Sequence, residues 1–87
     1  MAEIFYSAVE IIGYQPRAQS VITHADRAFE YSYLDEKITI NEDSAGGWTI
    51  TTARDSISTA DRAAALAFLV TEMQIHSRMF STNVNQQ

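Results

Sequence analysis

A chain of 87 residues makes one domain, and with 46% apolar residues it is too hydrophobic to stay disordered. It has no cysteine, which excludes disulfide staples and thiolate metal sites, and its longest apolar run, Ala63 to Val70, is too short to cross a bilayer as a helix. The formal net charge of -5 opposes non-specific binding to a phosphate backbone.

The first segment, "AEIFYSAVEIIGY", places Ile4, Ala8, Ile11 and Ile12 on one helical face, and Gly13 supplies a stop. The spacing predicts a short helix. The segment lacks the basic n-region of a signal peptide, so a cytoplasmic protein is expected. Downstream, Ala18, Val21, Ile22, Ala25 and Phe29 fit the helical template, with Pro16 near the start. The β-branched "SVIT" in the same stretch keeps a strand as the alternative.

The next stretch, "AFEYSYLDEK", alternates, with Phe29, Tyr31 and Tyr33 on one face. Its parity shifts before Ile38, which predicts a turn near Asp35-Glu36 or a bulged strand. Then Ile38, Ile40, Trp48 and Ile50 share one parity, and Thr39, Asn41, Thr49 and Thr51 the other. Between them "NEDSAGG" supplies turn formers, with Gly46 and Gly47 free to take positive φ. This is a β-hairpin with one buried face.

The last element is a long helix from about Thr59 to about Arg78. Ser58 followed by Asp61 gives a capping-box-like start. Leu66, Leu69, Val70, Met73 and Phe80 form its apolar stripe. Residues 1–80 then make a single α+β domain, followed by a polar frayed tail at 81–87. Its expected architecture is a three-stranded antiparallel meander packed against the long C-terminal helix, with one or two N-terminal helices.

Motifs for chemistry fall short of what each chemistry needs. Asn41, Asp43 and Gly46 match positions 1, 3 and 6 of a calcium loop, but Ala45 and Thr52 stand where oxygen ligands belong. His76 with Glu72 at i-4 gives two metal ligands and no third. Ser20, His24 and Asp26 fit no nucleophile elbow, and "AGGW" lacks the lysine of a phosphate loop. The chain is expected to be no enzyme and to use no cofactor or metal.

Charge placement is more informative. Between Glu30 and Asp43 five acids face Lys37 alone, a local net charge of -4. The expected site is an acidic partner-binding surface in which Glu30, Asp35, Glu36, Glu42 and Asp43 supply charge and Tyr31 and Tyr33 supply aromatic anchors. Its partner is a protein with a basic surface, normally one for nucleic acid. In size, charge and lack of motifs, and over no definable stretch, the chain resembles phage and mobile-element inhibitors such as anti-CRISPR and anti-restriction proteins. The alternative expectation is a self-assembling module dimerising through the C-terminal helix, with Phe68, Ile75 and Met79 off the main stripe. A third is a small regulator touching DNA through Arg17 and Arg27.

Overall fold

In the computed structural model, which describes residues 3–82, helix α1 (Glu3–Ile12) is followed by β1 (Tyr14–Pro16), β2 (Val21–Ala25), β3 (Ala28–Tyr33), β4 (Glu36–Glu42), β5 (Trp48–Thr52) and β6 (Ser56–Thr59). Helix α2 (Arg62–Ile75), a 3-10 turn (Ser77–Met79) and β7 (Phe80–Thr82) complete it. The class is the expected α+β, but the sheet has five strands rather than three. They pair antiparallel in chain order from β2 to β6, while β1 and β7 form a separate two-stranded ribbon.

The hairpin expected from alternation is present, with Ile40 opposite Ile50 and Ile38 opposite Thr52. The turn into it falls one residue earlier than expected, at Leu34-Asp35, with Leu34 in the left-handed region at φ 58°. Residues 21–25 are a strand, not a helix. Their β-branched residues prevailed over a helical spacing whose supposed core member Val21 is 59% exposed. Only one helix therefore precedes the sheet. Gly13 ends it with φ 73°, its N–H donating to the Val9 carbonyl at 3.0 Å.

The C-terminal helix is shorter than its pattern. Ser58 and Thr59 pair with β5 as part of β6, so they cannot open the helix. Asp61 is itself the N-cap and accepts from the Ala63 N–H at 3.0 Å. Phe80 lies in β7 instead of on the helical stripe, yet is buried there. Met79 is also buried, in the 3-10 turn, and Phe68 packs on the core. Of the three residues expected to build a dimer face, only Ile75 is exposed. Ser81 and Thr82, expected in the frayed tail, belong to β7, and residues 83–87 of that expectation lie outside the described residues.

Both helices cover one face of the sheet. Phe29, Tyr31, Ile38, Ile40 and Ile50 point into a core closed by Ile4, Phe5 and Ala8 of α1 and Ala65, Leu69 and Met73 of α2. The Phe5 ring sits 4.7 Å from Phe29 and 5.4 Å from Tyr31, centroid to centroid. Arg62 of α2 pairs with Glu3 of α1, and that guanidinium holds the Glu3 carboxyl below its ordinary value.

Tyr31 ties the ribbon to the sheet. Its hydroxyl donates to the Met79 carbonyl and accepts from the Arg17 N–H at 3.2 Å. Burial pushes its pKa above the ordinary 10.0. The unfolded chain ionises first, so the folded state holds more protons above about pH 10, and stability falls as pH rises from there. Tyr31→Phe is expected to cost about 1–2 kcal/mol at neutral pH, because the Arg17 N–H and the Met79 carbonyl each lose one hydrogen bond and keep only the 3.3 Å bond between them. It should also flatten the alkaline decline. Urea unfolding of both proteins at neutral and alkaline pH checks this, and equal slopes above pH 10 would remove the titration argument.

Candidate interaction surface

Strand alternation sends the other parity outward, and the helices leave that face uncovered. Across it run two rows: Thr23, Glu30, Thr39, Thr51 and Ser56, then Ala25, Ala28, Asn41, Thr49 and Ser58. Short polar side chains dominate. The Thr49 and Ser58 hydroxyls lie 2.8 Å apart, and those of Thr51 and Ser56 3.2 Å apart. Small alanines at the strand ends leave a depression of about 210 Å³ beside Glu30, lined also by Thr23, Thr39 and Asn41. Glu30 pairs with Lys37 at 3.5 Å, and both side chains are partly exposed.

One end of the sheet is acidic. The β2–β3 turn carries Asp26 and Arg27, and the Glu42 N–H donates to the Arg27 carbonyl at 2.9 Å, placing β4's end beside that turn. The β4–β5 loop folds around Asp43, whose Oδ1 accepts from the Ala45 and Gly47 N–H groups, both at 2.9 Å. Gly46 has φ 94°. Gly47 does not take positive φ; it is needed for close approach, because a Cβ there would lie 3.1 Å from Asp43 Oδ2 and from the Thr59 carbonyl. Asp61 caps α2 just beyond Thr59. Asp26, Glu42, Asp43 and Asp61 thus all lie at this end of the sheet, as do Arg27 and the Arg62 that pairs with Glu3.

The opposite end is different, because its carboxylates are engaged in a chain of contacts. Glu72 is only 1% exposed. It accepts from the Thr52 hydroxyl at 2.8 Å and from Arg54 at 2.6 Å. The Glu72 hydrogen bond raises Arg54 further above its ordinary value. His76 stands between two carboxylates, with Nδ1 3.0 Å from Glu36 and Nε2 3.6 Å from Glu72, the latter too long for a hydrogen bond. Arg78 then pairs with Glu36 at 2.6 Å and with Asp35 at 3.0 Å.

The seven residues expected to form one site therefore divide. Glu30 lies on the open face, and Glu42 and Asp43 mark the acidic end. Asp35 and Glu36 lie at the other end of β4, about 20 Å away along the strand, where Arg78 and His76 take them up. Tyr31 is fully buried and unavailable as an anchor. Tyr33 is half-buried and packs against the core. The same applies to Trp48, which lies on the inner face as expected.

Asp26 and Asp61 join the site although the helical spacing put the first in a helical alternative and the capping pattern put the second at a helix start. The outward row was visible, since Thr39, Asn41, Thr49 and Thr51 share one parity. Among the described residues, no group of three or more histidine, aspartate or glutamate side chains is arranged to hold a metal ion. Also among them, no helix is long and apolar enough to cross a membrane. No protein-family model, no curated protein and no solved structure matches the chain.

Proposed function

We propose that the chain is a non-enzymatic binding protein that lays its open sheet face and acidic loop end on a basic, nucleic-acid-binding surface of a partner protein and blocks it, as an anti-defence inhibitor would. The observation that carries this reading is the uneven charge. At one end of the sheet Arg54 and Arg78 neutralise the acids, and His76 lies within hydrogen-bond distance of Glu36. At the other end, among the described residues, Asp26, Asp43 and Asp61 form no ion pair, and such an excess of acid speeds encounter with a basic patch.

The open face suits such a partner in two further ways. Serine and threonine lose little rotamer freedom on binding, so ordering them costs little. The depression beside Glu30 fits an incoming lysine or arginine side chain. The exposed Glu30–Lys37 pair contributes about 0–1 kcal/mol, so an incoming cation displaces Lys37 at small cost.

The test is affinity capture from a lysate of the natural host, or of the infected cell if the gene is viral, using the native chain and the triple variant Glu30→Lys, Glu42→Lys, Asp43→Lys. The native chain should hold a nucleic-acid-handling protein at low salt and release it at high salt. The triple variant should hold none. Capture unchanged by the three reversals would sink the reading. Recovery of the chain alone would favour self-assembly through the helical layer. That second reading has a specific basis: a trough of about 420 Å³ between the helices, lined by Ile11, Leu66, Ala67 and Val70, where Ile11 is 60% exposed.

A further inference from the structure

The cleft between the β1–β7 ribbon and the 3-10 turn is a second feature, away from the acidic loop end. We propose that it binds a small organic phosphate, with Arg17 as the cation that holds the phosphoryl group. The cleft is open to solvent, spans about 420 Å³ and is lined by Tyr14, Arg17, Ser77, Arg78, Phe80 and Ser81. That volume lies within the range of small-molecule sites.

Arg17 is held in place before any ligand arrives. Its N–H meets the Tyr31 hydroxyl at 3.2 Å and the Met79 carbonyl at 3.3 Å, and its own carbonyl accepts from the Ser20 hydroxyl at 2.6 Å. In the side chain, Nε donates to the Arg78 carbonyl at 3.1 Å. Among the described residues no carboxylate pairs with Arg17, so both terminal nitrogens remain for an anion. A guanidinium fixed in this way presents its donors with little further ordering cost. Arg78 serves differently. It neutralises Asp35 and Glu36 beside the cleft, which keeps those carboxylates from repelling an anion.

The remaining lining selects the anion. Among the described residues, the hydroxyls of Tyr14, Ser77 and Ser81 make no hydrogen bond, and each is a donor. The Arg17 guanidinium with the Ser77 and Ser81 hydroxyls offers donors enough for the three terminal oxygens of a phosphomonoester. Phe80, its ring buried against that of Tyr31 at 5.1 Å, anchors the ribbon beside the cleft. A bare phosphate ion would leave most of the volume unfilled.

The probes are adenosine 5′-monophosphate, phosphoserine and inorganic phosphate, titrated by calorimetry and followed by amide and arginine Nε chemical shifts. Adenosine 5′-monophosphate should bind saturably and more tightly than inorganic phosphate, moving the signals of Arg17, Ser77 and Ser81. Arg17→Met should weaken it about tenfold or more through loss of charge-assisted hydrogen bonds. Ser81→Ala, which leaves every described backbone tie of Arg17 in place, should weaken it by a smaller factor. Arg27→Gln, at the far end of the sheet, should leave it unchanged. Absence of saturable binding, or equal weakening by Arg27→Gln, overturns the site. Equal affinity for inorganic phosphate and for the ester overturns the assignment of an organic ligand.

Discussion

Replacing Glu72 with alanine is expected to lower folding stability by about 3 kcal/mol. Three losses add up. The Thr52 hydroxyl, 2.8 Å from the carboxylate, loses its buried acceptor. His76, whose side chain is 13% exposed, loses the carboxylate beside Nε2. The methylenes removed leave a void under α2. Arg54 limits the total, because its side chain is half exposed and can turn to water once released. Glu72→Gln keeps the shape and one acceptor and should cost about half as much. A domain of this size is stable by about 4–13 kcal/mol, so the alanine variant loses a large share. Its melting temperature should fall by roughly 12–24 °C. A fall of less than about 2 °C would show that the buried carboxylate contributes nothing net, as some buried ion pairs do. Partner capture by the folded variant should be unchanged, since Glu72 lies under α2 and away from the open sheet face.

Phe5→Ala should have the largest effect, about 3–5 kcal/mol. Phe5 is fully buried and its ring meets those of Phe29, Tyr31, Phe80 and Tyr6. It is the point where α1, the sheet and the ribbon touch. Truncation leaves a cavity among rigid rings that cannot collapse to fill it. Tyr6, next in sequence but 46% exposed, gives the contrast: Tyr6→Ala should cost about 1 kcal/mol or less. Chemical denaturation of the two variants in parallel measures the difference. Equal costs would mean that α1 is held by its surface and not by its buried face.

The parts of this fold that were legible in sequence are those whose two faces differ strongly. Alternation from Ile38 to Thr52 marks β4 and β5 because isoleucine and threonine take opposite sides without interruption. Strand β6 was illegible: in Ser56–Thr59 only Ile57 is apolar, and Ser58 and Asp61 together imitate a helix start. Strand β2 is ambiguous between helix and strand in sequence, because an edge strand needs few buried residues, and its Val21, Ile22 and Ala25 fall with Ala18 and Phe29 at helical intervals. For the candidate site, the acidic character of residues 30–43 was plain, but the division that draws Asp35 and Glu36 into ion pairs at the end of the sheet away from the β4–β5 loop was not. That division depends on Arg78, His76 and Arg54, which come from elements up to 43 residues away from their partners, as in the Arg78–Asp35 pair. No local pattern carries such pairings.

The order of pairing also governs how the chain reaches its native state. Each strand from β2 to β6 meets its sequence neighbour, so the five-stranded sheet forms by zipping adjacent hairpins with short closures. The ribbon is the exception, joining Pro16 to Phe80 across most of the chain. Its closure has to wait until the sheet and helices have brought those segments together. The Arg17 cleft is built on that ribbon, so it is assembled late in folding and is among the first features lost when the protein opens.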